Sequence, residues 1–213
     1  AHNRQNTLHN RIDHMHRGGA YDNMVARGID VETTGHTFVM LIPAEVYYDE
    51  ENHPESFHPE YFPLIDGERV KPGYASLHLQ LCLANRDILD IVVDKIAQGF
   101  ETYPELKVYG VGQNDGSGGW CECDHCVMMD GDQAGTGVYS NRLFTFINAL
   151  ADTIGRQYPD KKIGTFAGGM PPDFDIRDNV EVTFILAGGW NYLRELTDPS
   201  DSFNAAVISR LKG

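Results

Sequence analysis

The sequence predicts an α/β protein built on a parallel sheet, and three observations predict it. A helix–strand unit occurs twice with the same punctuation. Its strands run out into polar or glycine-rich loops. The chain has 213 residues, 41% hydrophobic and 23% charged, which is enough apolar material for one sizeable core.

In chain order, the first candidate strands are "NTLHN" from Asn6 and "GIDVETTG" from Gly28. A long connection rich in Pro, Tyr, Phe and His follows, at about 37–80. Connections of that length inside a domain are functional or disordered, and the aromatic content argues against disorder.

The first helix–strand unit then opens on Asn85 as N-cap. Ile88, Leu89, Val92, Ile96 and Phe100 follow at helical spacing. Tyr103-Pro104 stops that helix and Lys107 leads into "VYGVGQ". The second unit has Ser140 as cap and Leu143, Ile147, Leu150 and Ile154 on one face. Tyr158-Pro159 stops it, and Lys162 leads into "IGTFA". A fifth strand fits "VEVTFIL" from Val180. Helix, stop, strand, loop is the grammar of a parallel sheet. Five such strands suit a Rossmann-like open sheet or part of a (β/α)₈ barrel. No G-x-G-x-x-G follows a strand, which weakens the dinucleotide alternative. A complete barrel needs about 250 residues.

Composition excludes some partners. The formal net charge of −14 repels phosphate backbones and anionic membranes, so nucleic acid is not an expected partner. No apolar run approaches the roughly 18–20 residues of a membrane span. The first residues carry no initiator Met and no signal-peptide pattern, so the sequence reads as a piece of a longer chain.

In parallel α/β proteins, chemistry collects where strands end. Those positions hold His9-Asn10, Glu32 to His36, Asn114-Asp115, Gly168-Gly169 and Gly188 to Asn191. Asp115 is a candidate general acid and Asn114 a neighbouring amide able to orient a substrate group. Asn114-Asp115-Gly116 is also ordinary turn chemistry. His36 can position a hydroxyl or hydrogen-bond the acid, and a lone His is as readily structural. Glu32 is the nearest second carboxylate by strand position. Trp120, Tyr139, Trp190 and Tyr192 are candidate stacking platforms, with Asn191 beside them.

Four cysteines stand at Cys82, Cys121, Cys123 and Cys126. C-x-C-x-x-C is a compact thiolate cluster, and Cys82 precedes the helix that feeds the same strand. Four sulfurs brought together suit a tetrahedral, structural zinc ion. Two disulfides or free thiols are the alternatives. An iron–sulfur cluster uses the same ligands, but nothing in the sequence supplies a redox partner. No H-E-x-x-H is present, which disfavours a metal-dependent hydrolase.

Taken as an ordered set, "GHTFVMLIPAEVYY", "HPEYFPLIDGERV", "LQLCLANRDILD" and "VGQNDGSGGWCECDHC" resemble the domain of unknown function 4838 family, over about Asn6 to at least Ala167. Part of that family is classed as glycoside hydrolase family 163. The resemblance implies a (β/α)₈ TIM-barrel type fold related to hexosaminidases and α-glucuronidases. It would be incomplete, with about strands 2–6 in residues 1–213, as a single catalytic domain with an insertion at about 37–80. It implies retaining endo-β-N-acetylglucosaminidase activity on N-acetylglucosamine-containing glycans by substrate assistance.

In such barrels an acid pair ends strand four and a His ends strand three. Asn114-Asp115 and His36 occupy those places, with Asn114 where the pair ordinarily begins with Asp. Glu32, Trp120, Tyr139, Trp190 and Asn191 would bind the sugar. The resemblance also implies a secreted, periplasmic or cell-surface protein with a glycan as partner, a structural zinc ion or two disulfides, and no organic cofactor. The alternative reading is a non-catalytic carbohydrate-binding or zinc-stapled structural domain.

Overall fold

The computed structural model describes residues 36–71, 78–116, 118–167, 171–184, 198, 200–202 and 205. The long aromatic-rich connection folds into short elements. Helix α1 spans Phe38–Leu41 and α2 spans Ala44–Tyr47. Two 3₁₀ turns follow at Pro54–Ser56 and Pro59–Tyr61, each opened by a proline whose missing N–H costs nothing there. A hairpin of β1 (Leu64–Ile65) and β2 (Glu68–Arg69) completes it. Its two-residue turn is Asp66-Gly67, both with positive φ, the conformation that a tight hairpin turn demands. Phe38, Leu41, Ile42, Tyr61 and Phe62 from this region are buried in the main core.

Both repeated helix–strand units form, with the cap of the second one differing from expectation. Helix α3 spans Arg86–Thr102, and the Asn85 side chain accepts the Asp87 N–H at 2.9 Å as its cap. Its buried face is Ile88, Val92, Val93, Ile96, Gly99 and Phe100. Tyr103 ends it by donating to Gly99 O, ahead of Pro104. Strand β3 is Val108–Gly110. Helix α4, Asp124–Asp130, grows out of the cysteine motif. Helix α5 spans Ser140–Gln157 and buries Leu143, Phe144, Ile147, Leu150 and Ile154 among others. Its N-cap is Tyr139, without a side-chain cap, so Ser140 is the first helical residue rather than the cap. Strands β4 (Lys162–Ala167) and β5 (Val180–Phe184) follow.

The sheet is parallel, in the order β3-β4-β5, with Tyr109 opposite Ile163 and Ile163 opposite Val180. This corrects the expected (β/α)₈ barrel. The described residues hold one three-stranded parallel sheet and one two-stranded antiparallel hairpin, and no barrel closes. Closure requires a tilted, staggered ring in which the last strand hydrogen-bonds the first. Among the described residues β3 and β5 are instead the two margins of an open sheet. The repeated helix–strand grammar dictates parallel pairing, which both architectures share. The strands expected at "NTLHN" and "GIDVETTG" lie outside the described residues.

Candidate functional site

The carboxyl end of β3 runs directly into Val111-Gly112-Gln113-Asn114-Asp115. Val111 extends the ladder by donating to Gly164 O at 2.7 Å. Beyond it the backbone is captured by Thr37, whose Oγ1 accepts the Gly112 N–H at 2.9 Å. The Thr37 and Phe38 N–H groups both donate to Gly112 O at 3.1 Å. This splice brings His36 to the end of β3. Nδ1 of His36 lies 2.7 Å from Gln113 O, so the carbonyl selects the Nδ1–H tautomer and leaves Nε2 outward. Nε2 lies 3.7 Å from Asp115 Oδ1. The His36 ring also meets the edge of Phe166 on β4, centroids 5.0 Å apart. Side-chain exposure is 43% for His36 and 80% for Asp115, so the pair faces solvent at the sheet's carboxyl edge.

Asn114 behaves differently from its neighbour. It is buried, and its side-chain amide bonds backbone on two sides: Oδ1 accepts the Val39 N–H at 2.8 Å, and Nδ2 donates to Leu79 O at 2.7 Å. Gln80, fully buried, holds the Asn114 backbone reciprocally. Its Oε1 accepts the Asn114 N–H at 2.9 Å and its Nε2 donates to Asn114 O at 3.0 Å. The glycine run then presses on the adjoining segment, His78 and Leu79. Gly116 and Gly119 have φ of +102° and +71°, and a Cβ on either would sit within 3 Å of His78 or Leu79 atoms.

Trp120 and Tyr139 stack on one another, centroids 4.9 Å apart, with Trp120 buried. Arg142 lies beneath both rings and forms a buried bidentate pair with Asp130, at 2.9 and 2.6 Å. Its third donor reaches Cys121 O at 2.5 Å. These groups line a recess of about 210 Å³ beside Ile65 and Glu122. Trp120 and Tyr139 are thus brought together, on the cysteine side of the loop. Glu32, Trp190, Asn191 and Tyr192 lie outside the described residues.

The four cysteines converge. Their sulfurs lie within 4.8 Å of one another, and none forms a disulfide. Cys82 Sγ is 3.7 Å from Cys123 Sγ and 3.8 Å from Cys126 Sγ. Sulfurs held about 2.3 Å from a central ion at tetrahedral angles are about 3.8 Å apart, whereas a disulfide needs about 2.05 Å. The quartet can therefore hold a metal ion. Cys121 Sγ also accepts the Leu64 N–H at 3.3 Å, and Arg69 Nη1 lies 3.7 Å away, so the hairpin supplies donors and positive charge around the sulfurs. Hydrogen bonds from Cys126 and Cys82 pull the Cys121 thiol far below its usual range. The thiolate so favoured pushes Cys82 up to about 11 and raises Cys126 as well. Without a cation, mutual repulsion keeps protons on the neighbours.

Gln80, Arg69 and the Arg142–Asp130 pair were not evident from the sequence. A glutamine in an apolar run, "LQLCL", is the only sequence signal that pointed at Gln80.

An open parallel sheet whose carboxyl edge carries an acid and an imidazole, joined by a glycine-rich loop to four clustered cysteines, makes an α/β fold with a candidate ligand edge and a cysteine cluster able to hold a metal ion. The chain belongs to the family described as Domain of unknown function (DUF4838), whose model matches residues 2–203. No match was found among curated proteins or among solved structures.

Proposed function

We propose that the chain is the sugar-handling part of a glycoside hydrolase acting on N-acetylglucosamine-containing glycans, with Asp115 as proton donor. The carrying observation is the exposed His36–Asp115 pair, 3.7 Å apart at the carboxyl edge of the parallel sheet. Gln113 O fixes the His36 tautomer, and Nε2 is left facing the Asp115 carboxylate. Asp115 delivers its proton to the leaving glycosidic oxygen. The substrate's own N-acetyl oxygen attacks the anomeric carbon, the substrate-assisted exception to the two-carboxylate scheme. The Asn114 amide bonds to Val39 and Leu79, so its part is to hold the acid's loop. Were a plain β-glucoside cleaved as fast, a two-carboxylate mechanism would stand instead, with Glu32 the candidate second carboxylate. A domain working on such glycans acts as a secreted, periplasmic or cell-surface protein.

Zinc suits the cysteine quartet. Its sulfur spacing matches a tetrahedral thiolate site, and four protein ligands leave no open position for chemistry. The ion is structural on this reading. Bound zinc also keeps thiols so close together from pairing in an oxidising compartment.

Hydrolysis of an aryl β-N-acetylglucosaminide tests the reading. Asp115→Asn is expected to lose roughly 10²–10⁴-fold on substrates with poor leaving groups and much less on good ones. Equal losses on both, or no hydrolysis by the unmodified protein, would sink it. The second reading is a carbohydrate-binding domain, favoured by the full engagement of the Asn114 amide with backbone. Calorimetric binding of an N-acetylglucosamine oligosaccharide that is never cleaved would establish it.

A further inference from the structure

Two segments connect the cysteine quartet to the acid, and both have one end at each place. The first is Leu79 to Cys82. Cys82 contributes a sulfur to the quartet. Two residues earlier, Gln80 grips the Asn114 backbone on both its N–H and its C=O, and Leu79 O takes the Asn114 side-chain amide. The second is the loop from Asn114 to Cys121, which carries the acid at one end and three sulfurs from Cys121 onward. Between those ends the segments are fastened to each other. The Gln80 N–H donates to Gly119 O at 2.9 Å, and Gly116 and Gly119 lie too close to His78 and Leu79 to admit a side chain. The result is a closed frame, with thiolates at one corner and the His36-facing carboxylate at the other.

Every crosspiece of that frame ties Asn114 or Gly119 to residues 78–80. None ties Asp115 itself, whose side chain is 80% exposed. The Thr37 and Val39 contacts hold the backbone up to Asn114, and beyond it the carboxylate's place beside His36 depends on the frame staying shut. The cysteine corner is where an ion would tie the frame: Cys82 comes from one segment and Cys121, Cys123 and Cys126 from the other, their sulfurs within 4.8 Å of one another. A cation bound by all four would join the two segments at one centre. We infer that metal held by Cys82, Cys121, Cys123 and Cys126 sets the position of Asp115, and that Gln80 is the positioning residue that transmits it. The role of Asp115 rests on the glycosidase reading above; the coupling between quartet and loop does not.

The experiment compares the zinc-loaded full chain, the chain stripped with a strong chelator, and the stripped chain reloaded with zinc. Hydrogen exchange is followed by mass spectrometry. Stripping is expected to accelerate exchange across residues 112–119 and at Gln80 by roughly tenfold or more, while α5 amides hold, and reloading is expected to restore protection. Unchanged exchange at 112–119, or equal acceleration in α5, overturns the coupling.

Gln80→Leu keeps the volume and removes the two side-chain crosspieces to the Asn114 backbone, leaving those from Leu79 O and the Gln80 N–H. It is expected to retain zinc, loosen 112–119, and lower the rate on poor leaving groups roughly 10–100-fold, with KM and good leaving groups little affected. Lost folding would depress both rates equally. If Gln80→Leu does not fold, Gly119→Ala carries the same expectation, since its Cβ would meet His78 O and Leu79 Cα within 3 Å. Wild-type-like exchange and leaving-group dependence in the folded variant overturn the assignment of Gln80. If the unmodified protein cleaves no glycoside, the glycosidase reading falls and the exchange measurements alone decide the coupling.

Discussion

Asn114 and Asp115 close one end of the segment from Gly110 to Cys126, and Cys121, Cys123 and Cys126 close the other. The acid end presents a carboxylate that is 80% exposed and touches one imidazole. At the cysteine end Cys121 and Cys126 are buried and Cys123 partly so, with Cys82, the Leu64 N–H, Arg69 and Arg142 gathered around them. The difference separates what stabilises this loop from what it presents. Its stability comes from groups that would be costly to leave unpartnered, whereas the carboxylate it presents is one that nothing in the described fold requires. Altering the first kind should change folding, and altering the second should change only activity.

Metal removal is the strongest way to break that contrast. An ion present at about 1,000 times its dissociation constant stabilises the folded state by about 4 kcal/mol. For a chain of this size each kcal/mol moves Tm by about 2–4 °C. Stripping zinc is therefore expected to lower Tm by about 8–16 °C in scanning calorimetry, and reloading to restore it. A protein that binds no zinc and melts at the same temperature with or without chelator would remove the cysteine half of the comparison.

Neighbours supply the next test. Asn114→Ala strands the Val39 N–H and the Leu79 carbonyl, and each lost partner costs about 1–3 kcal/mol, so about 2–6 kcal/mol is expected in urea unfolding. Asp115→Ala, one residue on, removes an exposed side chain and is expected to stay within about 0.5 kcal/mol. Equal costs at the two positions would mean that exposure does not separate support from function in this loop.

How much of this was legible in advance depended on whether a signal was local. The Asn85 cap, the two Tyr-Pro stops and the periodic faces of α3 and α5 are short-range, and they form as read. The cysteine spacing is also local, and the fold delivers the fourth sulfur from Cys82. The architecture was not local. A helix–strand repeat dictates parallel pairing but carries no count of strands, so the expected barrel and the observed open sheet look alike in sequence. The Asp66-Gly67 hairpin has its own local turn signal, which lies inside the aromatic-rich stretch whose other residues set no strand pattern. Arg142 is silent in the sequence and Gln80 shows only as a glutamine inside an apolar run, because their partners lie 12 and 34 residues away.

The smallest expected effect fixes the baseline. Arg177 donates to both oxygens of Asp152, at 2.7 and 3.1 Å, on the solvent side of α5 and away from the loop. Those hydrogen bonds hold the Asp152 carboxyl below its ordinary range. The sign follows. A carboxyl whose folded pKa is depressed contributes stability above its unfolded pKa of about 3.9, and loses it as pH falls through the lower, folded value. Both side chains are about half exposed, so solvent screening limits the contribution to under about 1 kcal/mol. Asp152→Asn is therefore expected to destabilise by a few tenths of a kcal/mol near about pH 7 and by nothing once the pH lies below the folded pKa, with added salt shrinking the difference. Denaturation of both proteins across that range measures it. A loss at neutral pH as large as that of Asn114→Ala would show that an exposed pair can do what the buried amide does, and would dissolve the contrast between the two ends of the loop.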